Sequence, residues 1–410
     1  MKTKKIFDTD AFIKENKTTV TKCALSEREG FEKLYEAVTD STIFSPEGGG
    51  QKSDEGFFDD VRVVDVQEFD GEIIHFLESE IPAGTEVLQK IDLDLRFRRM
   101  QNHNAEHLIC GLIHKKFGYS NVGFHLSETS DENRNVIRIE AVMDVDGPID
   151  AKDLEEIELQ ANMAIASNVP VYALLPSAEE AKDIAYRSKL DIEENLRLVV
   201  IEGYDICACC APCLKSSAEM QLVKIIDSMP HRGGMRLTLI AGIDAVKDYI
   251  DIHKDNKKIM NILSSKRNEC ANAVENLYEK SMQLHEENSA LKKEITDLNT
   301  KEVIKKITEN NLKFYVFYAP DFDEIQSRKL INEVALKTKT VMAVMFEKKN
   351  STYRFVVGKN ADVTDISLRE LAKNMQNKLS SRGGGSEQMI QGSIPANDDL
   401  INSFFEEMNK

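Results

Sequence analysis

Two pairs of metal-ligating residue types, each spaced by four and about a hundred positions apart, constrain this chain more than any other feature. His103 and His107 lie in Met100-Gln101-Asn102-His103-Asn104-Ala105-Glu106-His107-Leu108. On a helix, residues i and i+4 share a face, so both imidazoles can reach one ion. Cys209 and Cys213, in Cys207-Ala208-Cys209-Cys210-Ala211-Pro212-Cys213, repeat the interval and would complete a tetrahedral shell. One ion gripped by both pairs requires a fold that carries the helix to the distant cysteine loop. Packing is the alternative for each residue alone; the two pairs together favour a metal.

Length and composition set the frame. At 410 residues the chain is expected to hold two or three domains, and 41% hydrophobic content excludes a disordered tether. No apolar run approaches a membrane span, and the basic start Met1-Lys2-Thr3-Lys4-Lys5 has no apolar stretch behind it, so neither a membrane partner nor a signal peptide is expected. Seven cysteines, four of them between positions 207 and 213, suit metal chemistry in a reducing cytoplasm rather than a disulfide framework. A net charge of −17 excludes broad, nonspecific attraction to nucleic acid. The excess acid lies ahead of residue 301, because 301–410 carries 17 Lys/Arg against 15 Asp/Glu. A polyanion would have to be met by local basic patches, with the tail the most favourable ground.

The pattern along the chain predicts an α+β protein in four parts. Residues 1–92 alternate short β-branched and aromatic runs with turns, such as Thr42-Ile43-Phe44 running into Ser45-Pro46-Glu47-Gly48-Gly49-Gly50-Gln51, and fit an N-terminal small β-barrel. Residues 93–252 mix elements: a first helix with the histidines, helices over 151–167 and 177–186, and strands at 136–139 and 237–240. In 253–302, Cys270, Leu277, Leu284, Leu291 and Leu298 recur every seven residues, with Val274, Ser281, Asn288 and Ile295 between them. This is a coiled-coil helix whose Asn288 would fix register, pairing either two chains or a neighbouring helix. Residues 303–410 alternate strand and helix, as in a C-terminal small α/β domain. The run Ser380-Ser381-Arg382-Gly383-Gly384-Gly385-Ser386 reads as a flexible loop or as backbone open to an anion.

Several of these pieces agree with one family. Phe44 to Gln51, with Asp54 and Gly56 following, resembles the Gly-Gly-Gln signature of the alanyl-tRNA editing family, which comprises the editing and C-terminal regions of alanyl-tRNA synthetase and the free-standing AlaX-type proteins. His103 and His107 match its HxxxH motif, Asn121 to Leu126 resembles the segment after that helix, and Cys209 to Cys213 aligns with its CxxxH motif. The heptads and the glycine-bearing tail resemble its oligomerisation module and DHH-associated domain, which binds tRNA. The resemblance implies a zinc-binding editing domain over 93–252, a helical linker over 253–302 and a DHH-associated-type tRNA-binding domain over 303–410. No nucleotide-activation signature is present. The implied activity is therefore trans-editing: hydrolysis of mischarged tRNA(Ala), bearing serine or glycine, by a zinc-dependent aminoacyl-tRNA deacylase. A noncatalytic tRNA-binding protein with a structural zinc is the second reading.

Deacylation needs a nucleophilic water and an acceptor for charge on the ester carbonyl. A zinc-bound water can be the nucleophile, or the ion can hold the aminoacyl group while another water attacks. Gln51, on a glycine turn (Gly49, Gly50) that lets backbone approach a ligand, is the candidate contact to the aminoacyl end. By the resemblance, Thr42 would lie near the amino-acid side chain. The metal ligands expected are His103, His107, Cys209 and Cys213, although the family has histidine at the last position. A second thiolate lowers the net charge of the site and makes a closed Cys2His2 shell that looks structural, and Cys207 or Cys210 could substitute as ligands. Glu106, off the histidine face, is expected to position the helix. Arg98 and Arg99, Arg232 and Arg236, and Lys359 with Arg382 and Gly383, Gly384 and Gly385 are the expected RNA contacts, and a homodimer through the coiled coil or the C-terminal domain is expected.

Overall fold

The computed structural model describes residues 3–133, 135–188 and 196–410. The chain forms two compact units, Met1–Lys258 and Ile259–Lys410. Among the described residues it is mixed α+β, with a closed six-stranded barrel and seven α-helices.

The first unit begins with β1 (Lys4–Lys5), β2 (Glu15–Leu25), β3 (Tyr35–Thr39), β4 (Ser41–Thr42), β5 (Gly56–Phe58), β6 (Val61–Phe69), β7 (Glu72–Leu77) and β8 (Glu86–Ile91). Six of these close antiparallel in the order β2-β3-β7-β6-β5-β8, while β1 and β4 form a short parallel pair beside them. Closure leaves the barrel no open edge. Its interior is filled by Val20, Phe44, Phe58, Val63, Val66, Ile73 and Leu77. The run Thr42-Ile43-Phe44, expected to be a strand, leaves strand geometry after Thr42, and Ile43 and Phe44 are buried as core plugs.

Helix α1 (Leu93–Phe117) follows, capped by Asp92, whose side chain accepts from Leu95 N, and ended by Gly118 in the left-handed region. It packs on an antiparallel sheet of β9 (Asn121–Ser130), β10 (Val136–Val145), β14 (Val223–His231) and β15 (Gly234–Ala241), in the order β14-β15-β10-β9. Helix α2 (Ala151–Ala166) packs beside α1, and β11 (Val171–Leu174), β12 (Leu198–Ile201) and β13 (Asp205–Ala208) make a second small sheet against it. Every residue of α1 from Arg99 to Ile113 is buried, polar ones included. Those polar side chains pin the surrounding backbone. Asn102 accepts from Ala241 N at 2.9 Å, Gln101 donates to Glu219 O at 2.8 Å, and Asn104 accepts from Leu214 N at 2.8 Å. The helix expected over 177–186 is reduced to a 3-10 turn at Glu180–Asp183, because this exposed segment has no apolar face to bury. Helix α3 (Gly242–Leu263) starts at Gly242, where φ is +63° and a Cβ would collide with Gln101.

The second unit opens with α4 (Cys270–Asn310), then β16 (Phe314–Ala319), α5 (Glu324–Lys337), β17 (Val341–Lys349), β18 (Thr352–Gly358), α6 (Leu368–Leu379), β19 (Arg382–Gly385), β20 (Met389–Pro395) and α7 (Asp398–Glu407). The sheet runs β16-β17-β18-β20-β19, parallel only at β16–β17. Strand β17 shows why its sequence is an unbroken apolar run: Met342, Val344 and Phe346 face α4 and α5, while Val341, Ala343 and Met345 face α6 and α7. The glycine triplet is not a loop. It forms the exposed edge strand β19, where a Cβ on Gly383 or Gly385 would strike the β20 backbone. The heptad leucines of α4 lie at the surface, each more than half exposed, whereas Thr296, Thr300, Val303 and Ile307 are buried.

Candidate metal centre

The geometry centres on α1. His103 and His107 stack with ring centroids 5.0 Å apart, and both are buried. The Sγ of Cys209, from the loop after β13, lies 3.6 Å from His103 Nε2. Donor atoms of His103, His107 and Cys209 all lie within 4.8 Å of one another, a spacing that one tetrahedral ion can bridge.

The hydrogen bonding around His103 fits a metal ligand. Its Nδ1 lies 3.1 Å from Gln51 Oε1, and an amide oxygen only accepts, so Nδ1 carries the proton and Nε2 presents its lone pair toward Cys209. Gln51 is held by the glycine turn: Gly48 and Gln51 exchange two backbone hydrogen bonds, with φ of +60° at Gly49 and +80° at Gly50. A Cβ on Gly50 would come within 2.6 Å of Phe124 O, so the turn can press against β9 only without a side chain. Asp54 accepts from Ser45 N and forms a buried ion pair with Arg96 of α1, fastening the turn to the histidine helix.

Burial pushes the Cys209 thiol well above its ordinary range. Capture of a divalent ion would displace its proton, which makes binding pH-dependent.

Cys213 departs from expectation. It packs in the hydrophobic core with Leu108, Leu214 and Met220 and enters neither cluster of donor atoms. A spacing of four shares a face only on a helix, and residues 209–213 are not helical. Three potential donor side chains therefore converge, the number found at metal centres that keep one position open.

Above the cluster is a cavity of about 700 Å³, lined by Gly49, Gly50, Asn121, Phe124, Tyr186 and Arg187 with the two histidines. Gln51 is not on the wall; it stands behind His103, its Oε1 against His103 Nδ1. Nor is Thr42, which lies inside the barrel. His75 Nδ1 donates to Ala37 O at 3.1 Å, so the Thr42 hydroxyl donates to His75 Nε2 at 2.8 Å and accepts from Phe44 N at 3.0 Å. Glu106, expected only to position the helix, accepts from Asn121 and also lines the cavity. The chain also brings Asp205 and Arg187 here, which no spacing in the sequence singled out.

The basic residues divide by exposure. Arg98 and Arg99, expected at RNA phosphates, are corrected. Arg98 forks onto Asp244 at 2.6 and 3.0 Å, and buried Arg99 binds Glu128 at 2.7 Å and Ser53 O at 2.8 Å. Arg236 is clamped to Asp144 at 2.7 and 2.8 Å, and half-buried Lys359 donates to Val363 O at 2.7 Å. Arg232, at the β14–β15 turn, and Arg382 with Gly383–Gly385 are exposed. No α-helix among the described residues is long and apolar enough to cross a membrane.

No family model matches the chain. Curated relatives do. The chain is 26% identical over 390 residues to "Alanyl-tRNA editing protein AlaX-L" of Pyrococcus horikoshii, covering 89% of each, and 25% identical over 394 residues to "Alanyl-tRNA editing protein Aarsd1" of Danio rerio, covering 93% of this chain and 92% of that one. An "Alanine--tRNA ligase" of Korarchaeum cryptofilum is 26% identical over 373 residues, 87% of this chain but 40% of the ligase. Among solved structures, the C-Ala domain from Aquifex aeolicus alanyl-tRNA synthetase matches at 20% identity and a TM-score of 0.21, covering 24% of this chain and 91% of that one, too weakly to carry an argument. Over most of its length, then, this chain resembles the alanyl-tRNA editing family.

Proposed function

We propose that this protein is a cytoplasmic trans-editing deacylase, hydrolysing the ester of tRNA(Ala) mischarged with serine or glycine at a zinc ion held by His103, His107 and Cys209. One observation carries the reading: three donor atoms within 4.8 Å at the floor of a cavity lined by the glycine turn. The relatives' names supply the substrate class. Zinc at an open three-ligand site supplies Lewis acidity toward an ester carbonyl and a lowered pKa for water.

The chain's own residues set the conditions. Gln51 fixes the His103 tautomer. The backbone of Gly49 and Gly50 admits the aminoacyl end beside the ligands, and Phe124 and Tyr186 offer apolar walls that limit water. Arg232, and in the second unit Arg382 with the bare strand Gly383–Gly385, are the exposed groups left to meet RNA phosphates. The exposed α4 seam, with Asn288 among the leucines, would pair two copies of the chain.

The test is ester loss from seryl-, glycyl- and alanyl-tRNA(Ala). Serine or glycine is lost, alanine is retained, and His107→Ala abolishes the reaction. Tight tRNA binding without hydrolysis would instead make this a noncatalytic binder with a structural ion. Metal analysis separates the thiols: Cys209→Ser loses zinc, and Cys213→Ser retains it.

A further inference from the structure

Sharing His107 with the ligand cluster is a second group, whose Asp205 and Cys207 have no role in the reading above. Donor atoms of His107, Asp205 and Cys207 also fall within 4.8 Å of one another, and all three residues are buried. This group does not make a second metal site. Arg187 donates to both oxygens of Asp205, Nε to Oδ1 and Nη2 to Oδ2, each at 2.7 Å. A guanidinium seated on both oxygens holds a positive charge where a cation would have to sit.

What the ion pair does instead is aim a carboxylate. Asp205 Oδ2 lies 3.7 Å from His107 Nδ1, a gap that a small turn of the ring closes to hydrogen-bond length. The approach is built into the backbone. One turn past His107, Gly111 meets β13 so closely that a Cβ there would lie 2.7 Å from Tyr204 O and 2.8 Å from Asp205 Cβ. Arg187 is fixed in its turn. Its N–H donates to Ile206 O, and its carbonyl accepts from Ala208 N, both at 2.8 Å.

Resting on the metal-site reading above, we propose that Arg187 and Asp205 are positioning residues for His107. Asp205 accepts the Nδ1 proton, so that Nε2 is left for the ion, the service that Gln51 performs for His103. Because Asp205 opens the strand leading to Cys209, the same contact registers the thiolate loop against the imidazole helix. Glu106 Oε2 is equally near, at 3.6 Å from His107 Nδ1, but it rides on the same helix as His107 and cannot set that register.

The isosteric Asp205→Asn variant is the sharpest probe. Arg187 would claim the amide oxygen and turn the NH2 group toward His107, which forces the proton onto Nε2. In the full-length, metal-stripped protein, nitrogen-detected NMR of His107 is expected to change from Nδ1–H to Nε2–H. Zinc affinity, read by competition with a chromophoric chelator, is expected to fall roughly 10–100-fold, with a smaller fall for Arg187→Gln and less than about threefold for Glu106→Gln. An unchanged tautomer and affinity in Asp205→Asn would overturn the proposal, as would a larger loss in Glu106→Gln. Should Asp205→Asn not fold, the tautomer and affinity of Arg187→Gln decide by the same criteria. Failure of the unaltered protein to bind zinc would sink the metal site itself, a result distinct from any of these.

Discussion

Helices α1 and α4 are the two longest among the described residues, and they invert the usual relation between polarity and burial. From Arg99 to Ile113, α1 is wholly buried yet carries Gln101, Asn102, His103, Asn104, Glu106 and His107. Over the same kind of length, α4 leaves Leu277, Leu284, Leu291 and Leu298 more than half exposed. In α1 Gln101, Asn102, His103, Asn104 and Glu106 each have a hydrogen-bond partner, so their burial costs little and fixes geometry. In α4 the apolar stripe is regular but covers nothing within its own unit. Regular hydrophobic spacing therefore reports on an element's shape, while matched polar groups report on its place in a fold.

The largest effect should come from breaking a match in α1. Arg96→Ala strands the Asp54 carboxylate in the interior, and urea denaturation should show a loss of about 3–5 kcal/mol.

Next is the barrel that precedes α1 in the chain. Burial pushes the fully enclosed His75 down to about 4, so it is neutral in the fold while the unfolded side chain titrates near its ordinary 6.5. Because the native pKa is depressed, the unfolded state takes up the proton first. Stability is then lost as pH falls from 6.5 toward 4, by about 3 kcal/mol in all. The difference between the parent and His75→Gln, measured across that window, should show this slope.

A smaller loss, about 1–3 kcal/mol, is expected of Asn104→Ala, which leaves Leu214 N–H buried without its acceptor. On α4 the comparison is sharpened by a near-zero result. Leu284→Ser should shift unfolding by less than about 0.5 kcal/mol at dilutions where the chain is monomeric, yet halve the mass seen by light scattering at high concentration. A large loss at all concentrations would mean that the seam is covered within the chain.

What could be read beforehand follows the same division. The imidazole pair was legible because helical periodicity links residues four apart. The six-stranded barrel was legible from alternating short runs between turns. Cys213 falls outside both groups of close donor atoms because the same interval in an irregular loop does not put two side chains on one face. Arg98 and Arg99 looked like RNA contacts because charge is visible in sequence and its partner is not; Asp244 is 146 residues from Arg98. Asp205 and Arg187 were invisible for the same reason, and the room for their approach rests on the missing side chain of Gly111. The glycine triplet reads as a flexible loop or as backbone open to an anion because nothing local shows that β20 would pair with it.

The root of α3 carries a mechanical consequence. Ala241 N is held by Asn102, and Ile243 N approaches Gln101 Oε1 at 3.3 Å, across a glycine that lies against the same glutamine. The holders stand one and two residues before His103 along α1. The helix is thus a beam clamped at its base rather than hinged, and a torque applied along it is delivered within one or two residues of an imidazole.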